Sequence, residues 1–555
     1  MTAPAAGREP AANPVTSPRS EASVARSSAL GVLAVGALAG ACTMTIELAA
    51  VRLLAPWFGT SSAVWTNVIA VILLALSLGY LFGAKWSRGA RTESKLGACL
   101  LAAAAATAWL PAMTGPVASF FLPAGLGLAE AARLLSWGSL ACAIVLFLPS
   151  TVLLGCVPPL VTEIVARRDH RGAGDAGGRV LAASTLGSIA GTFATTYWTL
   201  PRLGLSTTFL AAGALLAALG AIVLARGGVR RSAPAVAALL LVGVAFAASR
   251  LAKPAPGPDQ VVLAAGESAY QSVRVVETTD AGTPMRLLQV NEGFDSFQSV
   301  WTPANGLLPP GFYYNLFALP AWWSEAGARW RVLVVGLGGG TAWRVLEGAL
   351  PAGVELDAVG VEIDPLVVAL ARRWMELPPE GPRRTALGDW DGRAALRALP
   401  GGFDQIVLDA YANQMEIPAH LSTLEFFLEA REKLAAGGWL AVNVGAFGLE
   451  DPVVTALGGT VARAFGRRAL VVRVPFSRNC VLFARRDAEP DEVGSARWKS
   501  GTEAIGRLQE ALALPGASRW FEPAGDAVLT DDLNPIDALQ RRSIGEGLAR
   551  AAGSL

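Results

Sequence analysis

The first half of this chain is a succession of apolar runs, each close to the ~20 residues needed to cross the hydrocarbon core of a bilayer. Seven stand out, at about 29–55, 62–84, 96–121, 134–160, 180–200, 206–225 and 234–249. They predict a bundle of transmembrane helices, because backbone polar groups surrounded by lipid must be satisfied within the segment itself. Composition agrees: of 555 residues 53% are apolar and only 16% charged, too oily for a purely soluble protein of this length. Residues 1–28, made of Ala, Pro, Ser and Arg without periodicity, read as a disordered tail and lack the apolar stretch of a signal peptide. The helical domain is therefore placed at 29–250.

Basic residues fall in alternate loops. Lys85, Arg88, Arg91 and Lys95 follow the second run, Arg167, Arg168, Arg171 and Arg179 the fourth, and Arg226, Arg230 and Arg231 the sixth. With Arg8, Arg19 and Arg26 of the tail, they face the cytoplasm by the positive-inside rule. Seven full crossings from that side would carry the rest of the chain outside, but the last run is short and abuts a basic loop, which leaves the crossing number open. The stretch TIELAAVRLLAPWFG sets Glu47 and Arg52 in an apolar helix, and Glu163 closes the fourth run. Such groups find a partner, snorkel to the interface, or line a wet cavity for a cationic solute.

Residues 251–260, rich in proline and charge, read as a linker. Beyond it the pattern changes. Alternating runs such as SVRVVET and RLLQV predict a small antiparallel sheet within 261–325. From 326 to 555, RVLVVG, ELDAVGVEID, RRTALGD, FDQIVLDA, GWLAVNV, ALVVRVP and NCVLFARR alternate with helical stretches, which predicts an α/β Rossmann-like domain built on a parallel sheet.

Gly336, Gly338 and Gly340 form a G-x-G-x-G turn at the end of the first strand of that domain, where absent side chains let backbone approach a nucleoside. Glu362 lies 22 residues beyond Gly340, at the end of the next strand, where an acid can bond both ribose hydroxyls. After the third strand, Asp389 or Asp391 can accept from an adenine amino group, and Asp409 ends the fourth. A P-loop is absent and the third glycine of a dinucleotide fingerprint falls at Thr341, so a mononucleoside such as S-adenosylmethionine suits the turn better than NAD. Five scattered cysteines and two histidines give no metal spacing, and 46 basic residues without a dense block give no nucleic-acid footprint.

With those residues in place, the chain resembles the spermidine synthase (polyamine aminopropyltransferase) family in the form fused to an N-terminal multi-helix membrane region. ELAAVRLLAPWFG and GYLFGAKWS resemble its membrane portion and ESAYQSVRVV the start of its small sheet; VLVVGLGGGTAWRVL, VGVEIDP, FDQIVLDAY, IPAHLSTLEFF and VLTDDLNPID resemble its catalytic-domain motifs in order. The resemblance implies that Gln271 and the 336–340 turn line a sulfonium-nucleoside site, that Glu362 holds ribose and that Asp389 or Asp391 meets adenine. It further implies that Asp409 is the catalytic aspartate, assisted by Tyr313.

Decarboxylated S-adenosylmethionine or S-adenosylmethionine would be the co-substrate, with no permanently bound cofactor and no metal, and a small amine the acceptor. A multi-pass protein of the inner membrane is implied, its catalytic half cytoplasmic because the donor is made there; a homodimer is compatible with this. The chain departs from the family at Gly339, at Ala412 and Asn413, and at Asn315, where acids that would grip diamine nitrogens are missing. Putrescine is therefore a doubtful acceptor. A methyltransferase using the same pocket, and a transporter or sensor that binds nucleoside without turnover, are the alternatives.

Overall fold

The computed structural model describes residues 18–58, 62–121, 128–169, 172–226, 243–245, 259–268, 270–280, 282–290, 298–324, 327–411, 417–491, 501–524 and 528–552. The N-terminal half is helical: α1 (Pro18–Phe58), α2 (Ser62–Trp86), α3 (Thr92–Phe121), α4 (Leu128–Asp169), α5 (Ala173–Ala194), a π turn (Thr195–Thr199), α6 (Leu200–Leu203) and α7 (Leu205–Arg226). Helix α1 begins at Pro18, so residues 18–28 extend it instead of forming a tail. No proline or glycine interrupts Arg19–Ser28, and extending a formed helix is far cheaper than nucleating one. Residues 1–17 and the linker apart from its last two residues lie outside the described residues.

Five helices, not seven, are long and apolar enough to cross a membrane among the described residues: Leu30–Ala55, Ala63–Trp86, Thr92–Phe121, Trp137–Arg168 and Leu205–Arg226. The 180–200 run is helical as α5 and the π turn, but Ser184, Thr185, Ser188 and Thr192 dilute its apolar character. Ser184 and Ser188 serve packing against Gly40 of α1. Ser188 Oγ donates to Gly40 O at 3.2 Å, Thr45 and Thr195 hydroxyls meet at 2.9 Å, and a Cβ on Gly187 would fall 1.8 Å from Ala37 O. Such close approach is what small residues permit between helices. The 234–249 run lies outside the described residues except for the helical residues 243–245, where Ala245 packs with Ala108 and Leu210.

Helix neighbours fix the sense of the bundle. Ala37 lies beside Gly187 and Ala41 beside Gly191, so α1 and α5 are parallel, whereas Gly31 lies beside Arg226 and α7 runs back. Lys85, Arg88, Arg91, Lys95, Arg167, Arg168, Arg179 and Arg226 consequently share one end. There Arg167 reaches Gly89 O at 2.8 Å and Glu163 at 2.7 Å, and Arg168 pairs with Glu93. Glu163 is thus a paired residue at that end of the bundle. Arg52 does not pair with Glu47 but leaves the bundle at the opposite end, donating to Ser268 O at 2.8 Å beside Glu267 and Asp364. The α/β half is docked on that opposite end.

That half opens with a four-stranded antiparallel sheet of β1 (Val261–Glu267), β2 (Ser272–Asp280), β3 (Thr283–Val290) and β4 (Ser299–Trp301). An eight-stranded sheet follows, ordered β12-β10-β11-β9-β8-β5-β6-β7. Its strands are β5 (Arg329–Val335), β6 (Glu355–Glu362), β7 (Arg384–Gly388), β8 (Phe403–Leu408), β9 (Leu434–Gly445), β10 (Ala469–Arg473), β11 (Asn479–Arg485) and β12 (Ser518–Phe521). Strands β5 to β9 are parallel as expected, while β10, β11 and β12 pair antiparallel. The five residues between Arg473 and Asn479 are too few for a crossover, so ALVVRVP and NCVLFARR form a hairpin. Large side chains such as Trp343, Trp439, Phe426 and Phe427 fill the two faces of this sheet.

Candidate active site

Parallel register sets the site. Val335 is level with Val361 on one side and Leu408 on the other, so the next residues, Gly336, Glu362 and Asp409, emerge together at the carboxyl edge of the sheet. The edge is tight. Gly336 N–H donates to Val361 O at 2.9 Å, and Asp409 N–H to Val335 O at 2.8 Å. Gly336 has φ +90°, and a Cβ there would lie 2.3 Å from Asp409 O. Glu362 is buried, accepting from Gly338 N–H at 2.9 Å and Asp364 N–H at 3.1 Å. Burial pushes its carboxyl up, against the pull of those amides.

A cavity of about 680 Å³ opens at this edge, within the size range of small-molecule sites. Of the residues singled out in the sequence, Gln271, Tyr313, Gly336, Gly338, Glu362, Asp391 and Asp409 line it. Gly340 does not; its φ of +83° starts the helix Thr341–Ala349 and its absent Cβ leaves room for Leu377. Asp389 is exposed at φ +67° and accepts from Tyr270 OH at 3.2 Å, outside the lining. Asp391 is the one of that pair that faces the cavity. It caps the helix Gly392–Ala398 through Arg393 and Ala394 N–H and meets His420 Nε2 at 2.8 Å. Burial raises its carboxyl, but the amides and His420 outweigh that and hold it below its ordinary value.

Asp409 is half-buried and held from two sides. Tyr313 OH donates to Oδ2 at 3.1 Å and Asn443 Nδ2 to Oδ1 at 2.8 Å. Asn479 Nδ2 in turn donates to Asn443 Oδ1 at 2.9 Å, and Tyr411 OH donates to Asn443 O at 2.7 Å. Burial pushes the Asp409 carboxyl up to about 7, while Asn443 and Tyr313 pull it down. A carboxylate with that affinity can take a proton near neutral pH, and each oxygen keeps a free lone pair for a ligand. Burial and the Asp409 charge drive the Tyr313 hydroxyl well above its ordinary value, so it stays a donor.

Sequence reasoning missed Asn443, Asn479, Tyr411 and Arg478. An asparagine in the otherwise apolar AVNVG was the signal for the first. It also missed that the helical bundle supplies cavity wall: Leu48, Val51, Arg52, Trp65, Thr196 and Leu200 all line it. Two of the departures take on a physical meaning. A Cβ on Gly339 would meet Met375 Sδ at 2.6 Å and Ser299 Cβ at 2.9 Å, so a side chain there requires Met375 and Ser299 to shift. Asn315 is buried and bonds the backbone N–H and C=O of Leu308, both at 2.8 Å. Ala412 and Asn413 lie outside the described residues.

No protein-family model matches the chain. A probable polyamine aminopropyl transferase of Bifidobacterium longum is 31% identical over 306 residues, which cover 52% of this chain and 64% of that protein. Polyamine aminopropyltransferase 2 of Streptomyces coelicolor is 29% identical over 456 residues, 80% of this chain and 78% of that one. The chain is a relative of the polyamine aminopropyltransferases. The match to the second of these is longer than residues 261–555 alone and so takes in part of the helices. This chain spans less than two thirds of the length of several aminopropyltransferase relatives, including those of Bifidobacterium longum and Mycobacterium tuberculosis. The crystal structure of a probable spermidine synthase from Corynebacterium glutamicum aligns with 49% of this chain and 97% of its own, at 21% identity and a TM-score of 0.39.

Proposed function

We propose that this chain is a membrane-embedded aminopropyltransferase that moves an aminopropyl group from decarboxylated S-adenosylmethionine to an amine. One observation carries the reading: Asp409, a carboxylate poised near neutrality, shares a cavity with Glu362 and the open turn at Gly336. The nucleoside would lie along that turn with ribose on Glu362, Gln271 beside it and adenine toward Asp391. The acceptor nitrogen gives up a proton to Asp409 and attacks the aminopropyl carbon bonded to sulfur, and the carbon–sulfur bonding pair leaves with methylthioadenosine. The positive sulfur already activates that carbon, so alignment supplies much of the remaining acceleration. The curated names of the relatives support the same reading.

Glycine in place of an acid at position 339 favours a second reading. Without an acid there, nothing among the described residues of the turn grips an aminopropyl ammonium, and S-adenosylmethionine serving as a methyl donor would fit as well. Incubating the purified protein with either donor and a panel of amines separates the two. Methylthioadenosine is the expected product; S-adenosylhomocysteine instead would assign methyl transfer, and neither product would leave a nucleoside-binding transporter or sensor.

The five apolar helices support a multi-pass membrane protein. The charge pattern then bears on orientation. The described basic loop residues, from Lys85 to Arg226, gather at the end of the bundle away from the cavity, and the positive-inside rule holds that end in the cytoplasm. This argues for an α/β half on the opposite face, against the cytoplasmic site expected from where the donor is made. A periplasm-active phosphatase fused at the C-terminus is expected to be active and a fluorescent protein that folds only inside to be dark. The reverse pattern would return the site to the cytoplasm.

A further inference from the structure

We infer that the acceptor is a primary amine that itself carries an anionic group, a phosphate or carboxylate, and that Arg478 selects it. The inference rests on the aminopropyl-transfer reading and names its substrate class.

The charges lining the cavity decide the matter. Three carboxylates of the described residues face it, and the proposed nucleoside takes two of them, Glu362 for ribose and Asp391, already held by a helix start and His420, for adenine. Among the described residues only Asp409 is left to meet an amine, and the chain Asp409–Asn443–Asn479 leads from it to Arg478, the neighbour of Asn479. Arg478 lines the same cavity. It is exposed, its guanidinium stands 5.7 Å from the centre of the Phe447 ring, and it pairs with no carboxylate among the described residues. The other arginine of the lining, Arg52, is by contrast tied to Ser268 O and flanked by Glu267 and Asp364.

Among the described residues the acceptor side therefore offers one anion and one cation that has no carboxylate partner. A diamine bound with one nitrogen on Asp409 would bring its second ammonium toward Arg478, with no further acid among the described residues of the lining to receive it, and like charges brought together repel. An amine joined through a few bonds to a phosphate or carboxylate satisfies both ends at once, the anion taking the guanidinium in charge-assisted hydrogen bonds. Leu48, Val51, Trp65 and Leu200 extend the wall from the bundle as an apolar surface, so the same headgroup chemistry could be free or borne on a lipid.

The test compares putrescine, γ-aminobutyrate, phosphoethanolamine, and vesicles of phosphatidylethanolamine against phosphatidylcholine, with the full-length protein and decarboxylated S-adenosylmethionine, following methylthioadenosine. Wild type is expected to prefer the anionic amines by about tenfold or more in kcat/KM, mostly through KM. Arg478→Glu should reverse that order and Arg478→Lys largely keep it. Turnover of phosphatidylethanolamine above phosphoethanolamine assigns a lipid source, and the opposite order a free one. A wild type that prefers putrescine, or an order that Arg478→Glu leaves unchanged, overturns the inference while leaving aminopropyl transfer standing. Absence of methylthioadenosine from every amine overturns both.

Discussion

Asp409→Asn is expected to lower the rate of methylthioadenosine formation by about 10²- to 10⁴-fold, the range for removing a positioned general base. The substitution keeps the shape of the side chain and removes its ability to accept a proton. The pH profile makes the assignment specific. Burial holds the Asp409 carboxyl at about 7, so below that pH it is protonated and cannot serve as base. The wild-type rate should thus rise about tenfold per unit up to pH 7 and level off above it. In Asp409→Asn the limb disappears. In Tyr313→Phe the carboxylate loses the hydroxyl donated at 3.1 Å, burial acts against one bond fewer, and the limb moves to higher pH.

Stability provides the control. A carboxyl whose affinity for protons is higher in the folded state than in the unfolded chain binds more protons when folded, between its ordinary range and about 7. Its contribution is favourable in acid and is lost as pH rises through that window. Asp409→Asn should therefore melt at or above the wild-type temperature at pH 8. An inactive variant that melted well below it would signal unfolding, and a variant with its activity and its pH limb intact would remove Asp409 from the chemistry.

The reach of sequence reasoning followed the range of the interactions. Gly336, Glu362 and Asp409 were legible because parallel strands of similar length in one sheet bring their carboxyl ends level, so a residue at a strand end already has an address. Tyr313 and Gln271 came by resemblance, and both face the cavity. Asp389 and Asp391 could not be told apart, since two residues on a strand-to-helix turn point to different sides once one becomes a cap. The fifth apolar run is a helix, yet its Ser184, Ser188 and Thr195 turn toward α1, which a linear hydropathy count scores as weakness. Least legible was the contact between halves. Arg52 and Ser268 are 216 residues apart and meet only because the helical bundle and the small sheet dock at the cavity.

Gly336→Ala is expected to abolish nucleoside binding and to destabilise the α/β half by about 3 kcal/mol or more. Two costs combine there. At φ +90° any residue with a Cβ is strained, and the new methyl would stand 2.3 Å from Asp409 O and 2.7 Å from Ala410 Cα, both backbone atoms that cannot swing aside. Relief requires β5 and β8 to part at the edge where Glu362 and Asp409 emerge. Gly353→Ala separates the two costs. Gly353 has φ +83° but nothing within 4 Å of its Cβ position, so it carries the strain without the collision and should cost only about 1–2 kcal/mol. Calorimetry with methylthioadenosine and thermal melts of the two variants check this. Binding should survive in Gly353→Ala and vanish in Gly336→Ala, and if both bound alike the close approach of backbone at Gly336 would have no part in making the site.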